Sequence, residues 1–243
     1  MRLLLPLLLF AGPLAAQDTQ PKLGPNATPI TADNAFLRDH PAPDYWAFSP
    51  FVKPQFSTSA CSIATVTAAL NGLTGLAPNA EDEVMTQQVL LDRTGDSTWA
   101  DLSAEGGDGV TFQQLADFTA QALAADGLAD RIVTTYQPAD TAAIDDVRTM
   151  LAENEATADN ALLLYFNQGV VTGDWDGPHI SLIGAYDAEA DRVLILEVDQ
   201  EWYIPYWTPV PVLMEAMTKP TGAEHGPLEG ETGGLVMIGA PVG

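Results

Sequence analysis

Cys61 is the single cysteine of the 243-residue chain, and it stands at the head of an apolar, helix-like run, "ACSIATVTAALNGL". In the first turn of a helix a thiol meets the positive end of the helix dipole and unpaired backbone N–H groups, and both favour the thiolate. The bland alternative for a lone cysteine is a small buried apolar side chain. A thiolate that attacks an amide also needs a proton donor for the leaving amine and hydrogen-bond donors for the oxyanion. Gln55 precedes Cys61 by six residues, a loop long enough to bring its side-chain amide beside the Cys61 backbone N–H as an oxyanion hole. Of the three histidines, His40 lies in a proline-rich segment and His225 in the loop "TGAEHGPLEG". His179 opens the apolar strand "HISLIGAYD" and is the natural partner of the thiol.

A carboxylate to orient His179 comes from the next apolar run. "HISLIGAYD" and "RVLILEVD" are separated by a very short acidic turn and should pair antiparallel. A three-residue loop keeps His179 on the same side as Glu197 and Asp199. Pairing of Tyr186 with Ala190 sets His179 opposite Glu197, and pairing of Asp187 with Asp191 sets it opposite Asp199. Both carboxylates are candidates.

Hydrophobic spacing outlines the elements that must hold these side chains. After Cys61 the positions Ile63, Val66, Leu70 and Leu73 recur at helical steps, with Ser57, Thr58 and Ser59 available as caps and Gly72 near the end. Two more amphipathic helices fit "TFQQLADFTAQALAADG" and "TAAIDDVRTMLAEN". In the second half "ALLLYFNQGVV", "HISLIGAYD", "RVLILEVD" and "GLVMIG" are short apolar runs bounded by Gly, Asp and Asn, which read as strands. Helices followed by an antiparallel sheet make an α+β arrangement.

Residues 1–17, "MRLLLPLLLFAGPLAAQ", have the layout of a signal peptide and fall short of the roughly 20 apolar residues of a membrane span. The expected location is therefore secreted or periplasmic, with no membrane partner after cleavage. Residues 18–50, rich in Pro and Asn, are expected as an extended lead-in without regular structure, and residues 51–243 as a single catalytic domain. Nine Lys and Arg against 33 Asp and Glu give a net charge of -24, which repels nucleic acid and anionic membranes. The carboxylates are scattered without the spacing of a calcium loop, so neither a metal site nor a cofactor is expected. One cysteine cannot close an internal disulfide, and an exported thiol is buried, paired with another chain, or kept for chemistry.

Gln55 with "ACS", then "LNGL", "GVTFQQLA", "HISLIGAY", "RVLILEV" and "YIPYWTPVPVLMEAM" follow one another in an order that resembles the phytochelatin synthases, a papain-like group of cysteine transpeptidases. The resemblance covers approximately Phe51 to Met217. It implies a papain-like fold whose helical N-terminal part carries the nucleophile helix. It further implies Cys61 as nucleophile, His179 as general base and acid, and Gln55 in the oxyanion hole. The family's acid falls on Glu197, where members usually have aspartate, with Asp199 as the possible substitute. Pro178 stands where the family generally has glycine. Thr221 falls at the position of an aspartate that, with an arginine, is associated with binding the γ-glutamyl end of glutathione, and no arginine follows it here.

The implied activity is acyl transfer or hydrolysis on glutathione or a related γ-glutamyl peptide, releasing glycine through a Cys61 thioester. A heavy-metal ion would enter only as the thiolate complex of the substrate. Two alternatives are an exported cysteine peptidase or isopeptidase with another substrate, and a non-catalytic descendant that binds peptides in the same cleft. The acyl acceptor and the oligomeric state are left open.

Overall fold

The structure is a computed structural model that describes residues 22–242. The expected signal peptide at 1–17 and the first residues of the expected lead-in lie outside the described residues.

Among the described residues seven strands form one sheet: β1 (Thr28–Pro29), β2 (Arg131–Tyr136), β3 (Ala161–Asn167), β4 (Pro178–Asp187), β5 (Arg192–Leu196), β6 (Tyr206–Pro209) and β7 (Gly234–Pro241). Their order is β1-β6-β5-β4-β3-β7-β2, and every neighbouring pair is antiparallel. The helices are α1 (Ala35–Asp39), α2 (Pro43–Phe48), α3 (Cys61–Thr74), α4 (Gln87–Thr94), α5 (Ser97–Ser103), α6 (Phe112–Ala125), α7 (Ile144–Glu155), α8 (Gln168–Thr172) and α9 (Val210–Thr218). The arrangement is compatible with the α+β class.

β3 is buried along its whole length because both faces of the sheet are covered. Side chains alternate across a strand, so the two faces feed two cores. On one face Leu182, Leu194 and Leu196 pack with Ile63, Val66 and Leu70 of α3 and Leu115 of α6. On the other, Ile183, Val193 and Ile195 pack with Leu151 of α7 and Leu213 and Met214 of α9. The start of α6 is set by a capping box in which Thr111 and Gln114 satisfy each other's backbone N–H groups. Trp99 of α5 stacks on Phe118 of α6 and donates its indole N–H to Ser62 Oγ at 2.9 Å, bracing the first turn of α3.

Three features differ from the reading of the sequence, and the place of Gly72 agrees with it. Residues 28–48, expected to lack regular structure, contain β1, α1 and α2, and α2 buries Phe48 against α3. Gly72 lies near the end of α3 as expected: a Cβ there would overlap the Phe48 ring, and the helix stops at Gly75, whose φ is +75°. The "QGVV" half of an expected strand is α8, started by Asn167, whose side chain accepts from the Val170 N–H. Helices α4, α5 and α9 and strands β2 and β6 were not foreseen. Each is short, and β2 has only one buried residue, so periodicity is faint there.

Candidate active site

Cys61 is the first residue of α3 and is partly exposed, while the next ten positions of the helix are buried. Its N-cap is Ala60, which has no capping side chain. Ser57, Thr58 and Ser59, the expected caps, instead pin the preceding loop to the segment after α5. Ser57 Oγ donates to the Ser103 carbonyl at 2.6 Å, Ser59 Oγ donates to the Gly107 carbonyl at 2.5 Å, and Thr58 donates to Glu105. One turn into the helix, Thr65 Oγ1 donates to the Ile180 carbonyl at 3.1 Å and ties α3 to β4 beside His179. The Gln55 backbone N–H donates to the Val198 carbonyl at 2.9 Å, tying the loop to the chain just past Glu197. Gln55 Nε2 donates to the Thr58 carbonyl at 3.4 Å, and its Oε1 is buried without a partner.

His179 bridges the thiol and a carboxylate. Its Nε2 lies 2.6 Å from Glu197 Oε1, and the Cys61 thiol is near enough to raise the proton affinity of the ring. Glu197 has no exposure at all, and every approach to its carboxylate is taken by a donor. Oε1 also accepts from the Asp199 N–H at 2.8 Å and from Ser181 Oγ at 3.3 Å. Oε2 accepts from Gln168 Nε2 and from the Tyr206 hydroxyl, both at 3.1 Å.

Burial by itself would strip the proton from His179, but the Glu197 carboxylate and the thiol outweigh it and hold the imidazole well above its ordinary value. Burial likewise pushes Glu197 up, and the charge of His179 together with the converging donors carries it below the usual carboxylate range. Both shifts describe a buried imidazolium–carboxylate pair. Burial and the Glu197 charge keep Tyr206 protonated, so it remains a donor.

Neither expected register of the β4–β5 hairpin occurs at its turn, but the second, with His179 across from Asp199, holds beyond it. The turn is one residue longer, with Asp187 opposite Arg192 and Asp191 at a φ of +51°. That alone would turn the far end of β4 to the wrong face, but a bulge at Gly184 restores the alternation, and Leu182 pairs with Leu196. Continued along the strand, this register sets Ser181 across from Glu197 and His179 across from Asp199. β5 ends at Leu196, however, and the longer glutamate reaches His179 diagonally past Ser181. Asp199 contributes its backbone N–H to Glu197, and its carboxyl, which burial raises, lines the cleft.

Cys61 lies between two spaces. The larger, about 490 Å³, is lined by Gln55, Gln168, Pro178, His179 and Asp199, with Trp175, Trp202 and Tyr203 as an aromatic wall. The smaller, about 150 Å³, is lined by Gly107 to Val110, Tyr165, Ile180 and Leu228 among others. Thr221 is buried, pairs through its backbone with Glu231 and Gly230, and lines neither space. Among the described residues no three metal-ligating side chains converge. Gln168 and the Tyr206 hydroxyl were missed as partners of the carboxylate. The Asn167 cap that turns the chain into α8 is the local signal for Gln168.

A thiol, an imidazole and a buried carboxylate in series, at a cleft beside a helix-covered antiparallel sheet, define a cysteine–histidine–carboxylate site. The chain belongs to the phytochelatin synthase family, whose family model matches residues 33–225. It is 36% identical to glutathione gamma-glutamylcysteinyltransferase 1 of Arabidopsis thaliana over 74 residues, which are 30% of this chain and 15% of that protein. It is 33% identical to glutathione gamma-glutamylcysteinyltransferase 3 of Lotus japonicus over 86 residues, or 34% of this chain and 18% of that one. With the wheat (Triticum aestivum) glutathione gamma-glutamylcysteinyltransferase 1 it shares 35% identity over 79 residues, 32% of this chain and 16% of the relative. The chain thus spans under a fifth of the length of the curated relatives it matches.

Proposed function

We propose that the protein is an exported cysteine-dependent acyl-transfer enzyme acting on glutathione or a related small thiol peptide. The observation that carries this reading is His179, hydrogen-bonded to the buried Glu197 and lining one cleft with the Cys61 thiol. The Cys61 thiolate attacks the carbonyl carbon of the cysteinyl–glycine amide while His179 holds the proton. The Gln55 amide and the N–H groups at the head of α3 stabilise the oxyanion. As the C–N bond breaks, His179 passes its proton to the departing glycine nitrogen, leaving a thioester on Cys61. Water, deprotonated by His179, then frees the acyl group and restores the thiol, or the amine of a second thiol peptide takes it and lengthens the chain. Glu197 stabilises the imidazolium throughout and fixes its ring, the part a triad acid plays. A thiol at a helix head facing an imidazole on a strand supports the papain-like reading. No cofactor takes part, and a heavy-metal ion enters only as the substrate's thiolate complex.

Intact-protein mass spectrometry after incubation with glutathione, with free glycine assayed in parallel, tests the proposal. A γ-glutamylcysteinyl adduct or glycine release from the wild-type chain, absent from Cys61→Ala, is the expected result. Folded protein that yields neither defeats it.

A further inference from the structure

The larger cleft does not end at its aromatic wall. Lys22, Trp202 and Tyr203 line it and also line a second, open groove of about 540 Å³, whose other walls include Leu23, Ala27, Pro29 and Ile204. The groove is largely apolar, and two of its large side chains face solvent, Trp202 with 57% and Ile204 with 43% of their surface exposed. Apolar side chains gathered in one groove at the end of a catalytic cleft mark a binding surface, which singly scattered ones do not.

Half of the groove comes from residues 22–31, which lie ahead of the family match at 33–225. That segment is held along its length. The Gly24 N–H donates to the Thr172 carbonyl of α8 at 2.7 Å, and a Cβ on Gly24 would meet that oxygen at 2.9 Å, so the approach requires a glycine. Asn26 Nδ2 donates to the Val170 carbonyl at 3.2 Å, and the Ile30 N–H donates to the Pro205 carbonyl at 2.9 Å. At the junction of cleft and groove the Lys22 ammonium stands 4.7 Å from the Trp202 ring centre, 4.6 Å from that of Tyr203 and 3.1 Å from the Asp174 carboxylate. The groove is thus formed before any ligand arrives, which spares binding the cost of ordering it.

His179, which must protonate the leaving amine, lines the larger cleft and not the smaller space, so the leaving part of the substrate starts in the cleft. A glycine ends there. A longer leaving part, advancing roughly 3.3–3.6 Å per extended residue, runs past Lys22 into the groove.

We infer that the groove is a subsite for the leaving part of a peptide longer than glycine, with an apolar side chain of its second or third residue resting on Leu23, Trp202 and Ile204. The inference rests on the proposed Cys61 chemistry and widens its substrate class to thiol peptides extended beyond the cysteinyl–glycine bond.

Three donors with the same γ-glutamylcysteinyl group separate the terms by their leaving part: glycine, as in glutathione, Gly-Gly-Gly, and Gly-Leu-Leu. Release of the leaving part is followed by mass spectrometry. The Gly-Leu-Leu donor should exceed both others by roughly tenfold or more in kcat/KM, as for burial of one leucine side chain. Ile204 lines the groove and not the cleft, and its exposure lets the fold accept a polar replacement. Ile204→Asp should bring the Gly-Leu-Leu donor to within about threefold of the Gly-Gly-Gly donor, and Trp202→Ala, which removes another wall, should compress the same ratio. A Gly-Leu-Leu donor no faster than Gly-Gly-Gly, or a preference that survives both variants unchanged, overturns the assignment. So does a dimer in sedimentation that Ile204→Asp dissociates, because the groove then belongs to a second copy of the chain. Turnover of glutathione without the preference overturns this inference alone, whereas release from none of the three donors, by protein whose Cys61 still alkylates, overturns the parent reading with it.

Discussion

Glu197→Gln exchanges a buried carboxylate for an amide of nearly the same shape and so asks whether charge or geometry makes His179 competent. In the wild-type chain burial pulls the imidazole's proton affinity down, and the Glu197 charge with the thiol more than restores it. An amide at this position can still accept at one oxygen from His179 and the Asp199 N–H. Its NH₂ then meets Gln168 and Tyr206, and the Tyr206 hydroxyl can turn to accept. What is lost is mainly the charge on one hydrogen bond, on the order of 1.5–3 kcal/mol, or roughly 10- to 150-fold in kcat/KM.

The assay is glycine release across pH, paired with NMR of the imidazole side chains, where three histidines give a spectrum simple enough to assign. If the working form carries its proton on His179, the alkaline limb of the profile reports loss of that proton. In the variant both this limb and the His179 titration should move to lower pH, toward the ordinary histidine value of about 6.5. A variant that keeps kcat/KM within about twofold and an unmoved alkaline limb would refute the assignment of the imidazolium to Glu197.

Asp199→Asn should lower kcat/KM by less than about threefold, because Asp199 serves the site through its backbone N–H; a tenfold loss would make its side chain the orienting acid. Asp44 is fully buried and pushed up to about 8 by burial and Glu155, and burial pushes Glu155 up to about 7. Both bind protons more tightly when folded, so their contribution is intact below the ordinary carboxylate range and is lost as pH rises toward those values. For Asp44 the penalty reaches at most roughly 6 kcal/mol. Asp44→Asn keeps an acceptor for Asn154 and should raise Tm progressively more as pH climbs; Tm curves that run parallel to wild type would contradict this. Gly72→Ala should cost about 1–3 kcal/mol, since its methyl enters the Phe48 ring, and Phe48→Leu in the same chain should recover part of the loss. A Tm equal to wild type in thermal melts would mean that α2 yields freely.

The beginning of α3 was legible because an apolar stripe starts at Cys61, and the β4–β5 hairpin because two apolar runs flank an acidic turn. Its register was legible only in part: the second of the two read holds beyond Gly184, but not at the turn. The loop is a residue longer than read, and the compensating bulge sits at Gly184, a glycine whose need arises only where Leu196 packs across it. Strand parity found the right pair of carboxylates and left the choice between them open, because that choice depends on side-chain reach across a diagonal. The same holds for Gln168, which bonds Glu197 from an unrelated segment, and for Tyr206, whose ring is core while its hydroxyl is not. The order found between residues 28 and 48 comes from packing on α3 and pairing with β6, neither of which local composition records.

Two hydrogen bonds cross between the thiol's side of the site and the histidine's: Thr65 to the Ile180 carbonyl, and the Gln55 N–H to the Val198 carbonyl. One ends on β4 and the other on Val198, buried just past the end of β5, so the site has no hinge of its own and shares its cooperative unit with the core. Local opening elsewhere should leave turnover intact, and catalytic loss on heating should coincide with global melting instead of preceding it. The Gln55 amide should accordingly exchange its hydrogen as slowly as those of β4, which makes catalytic decay a direct thermometer of the fold.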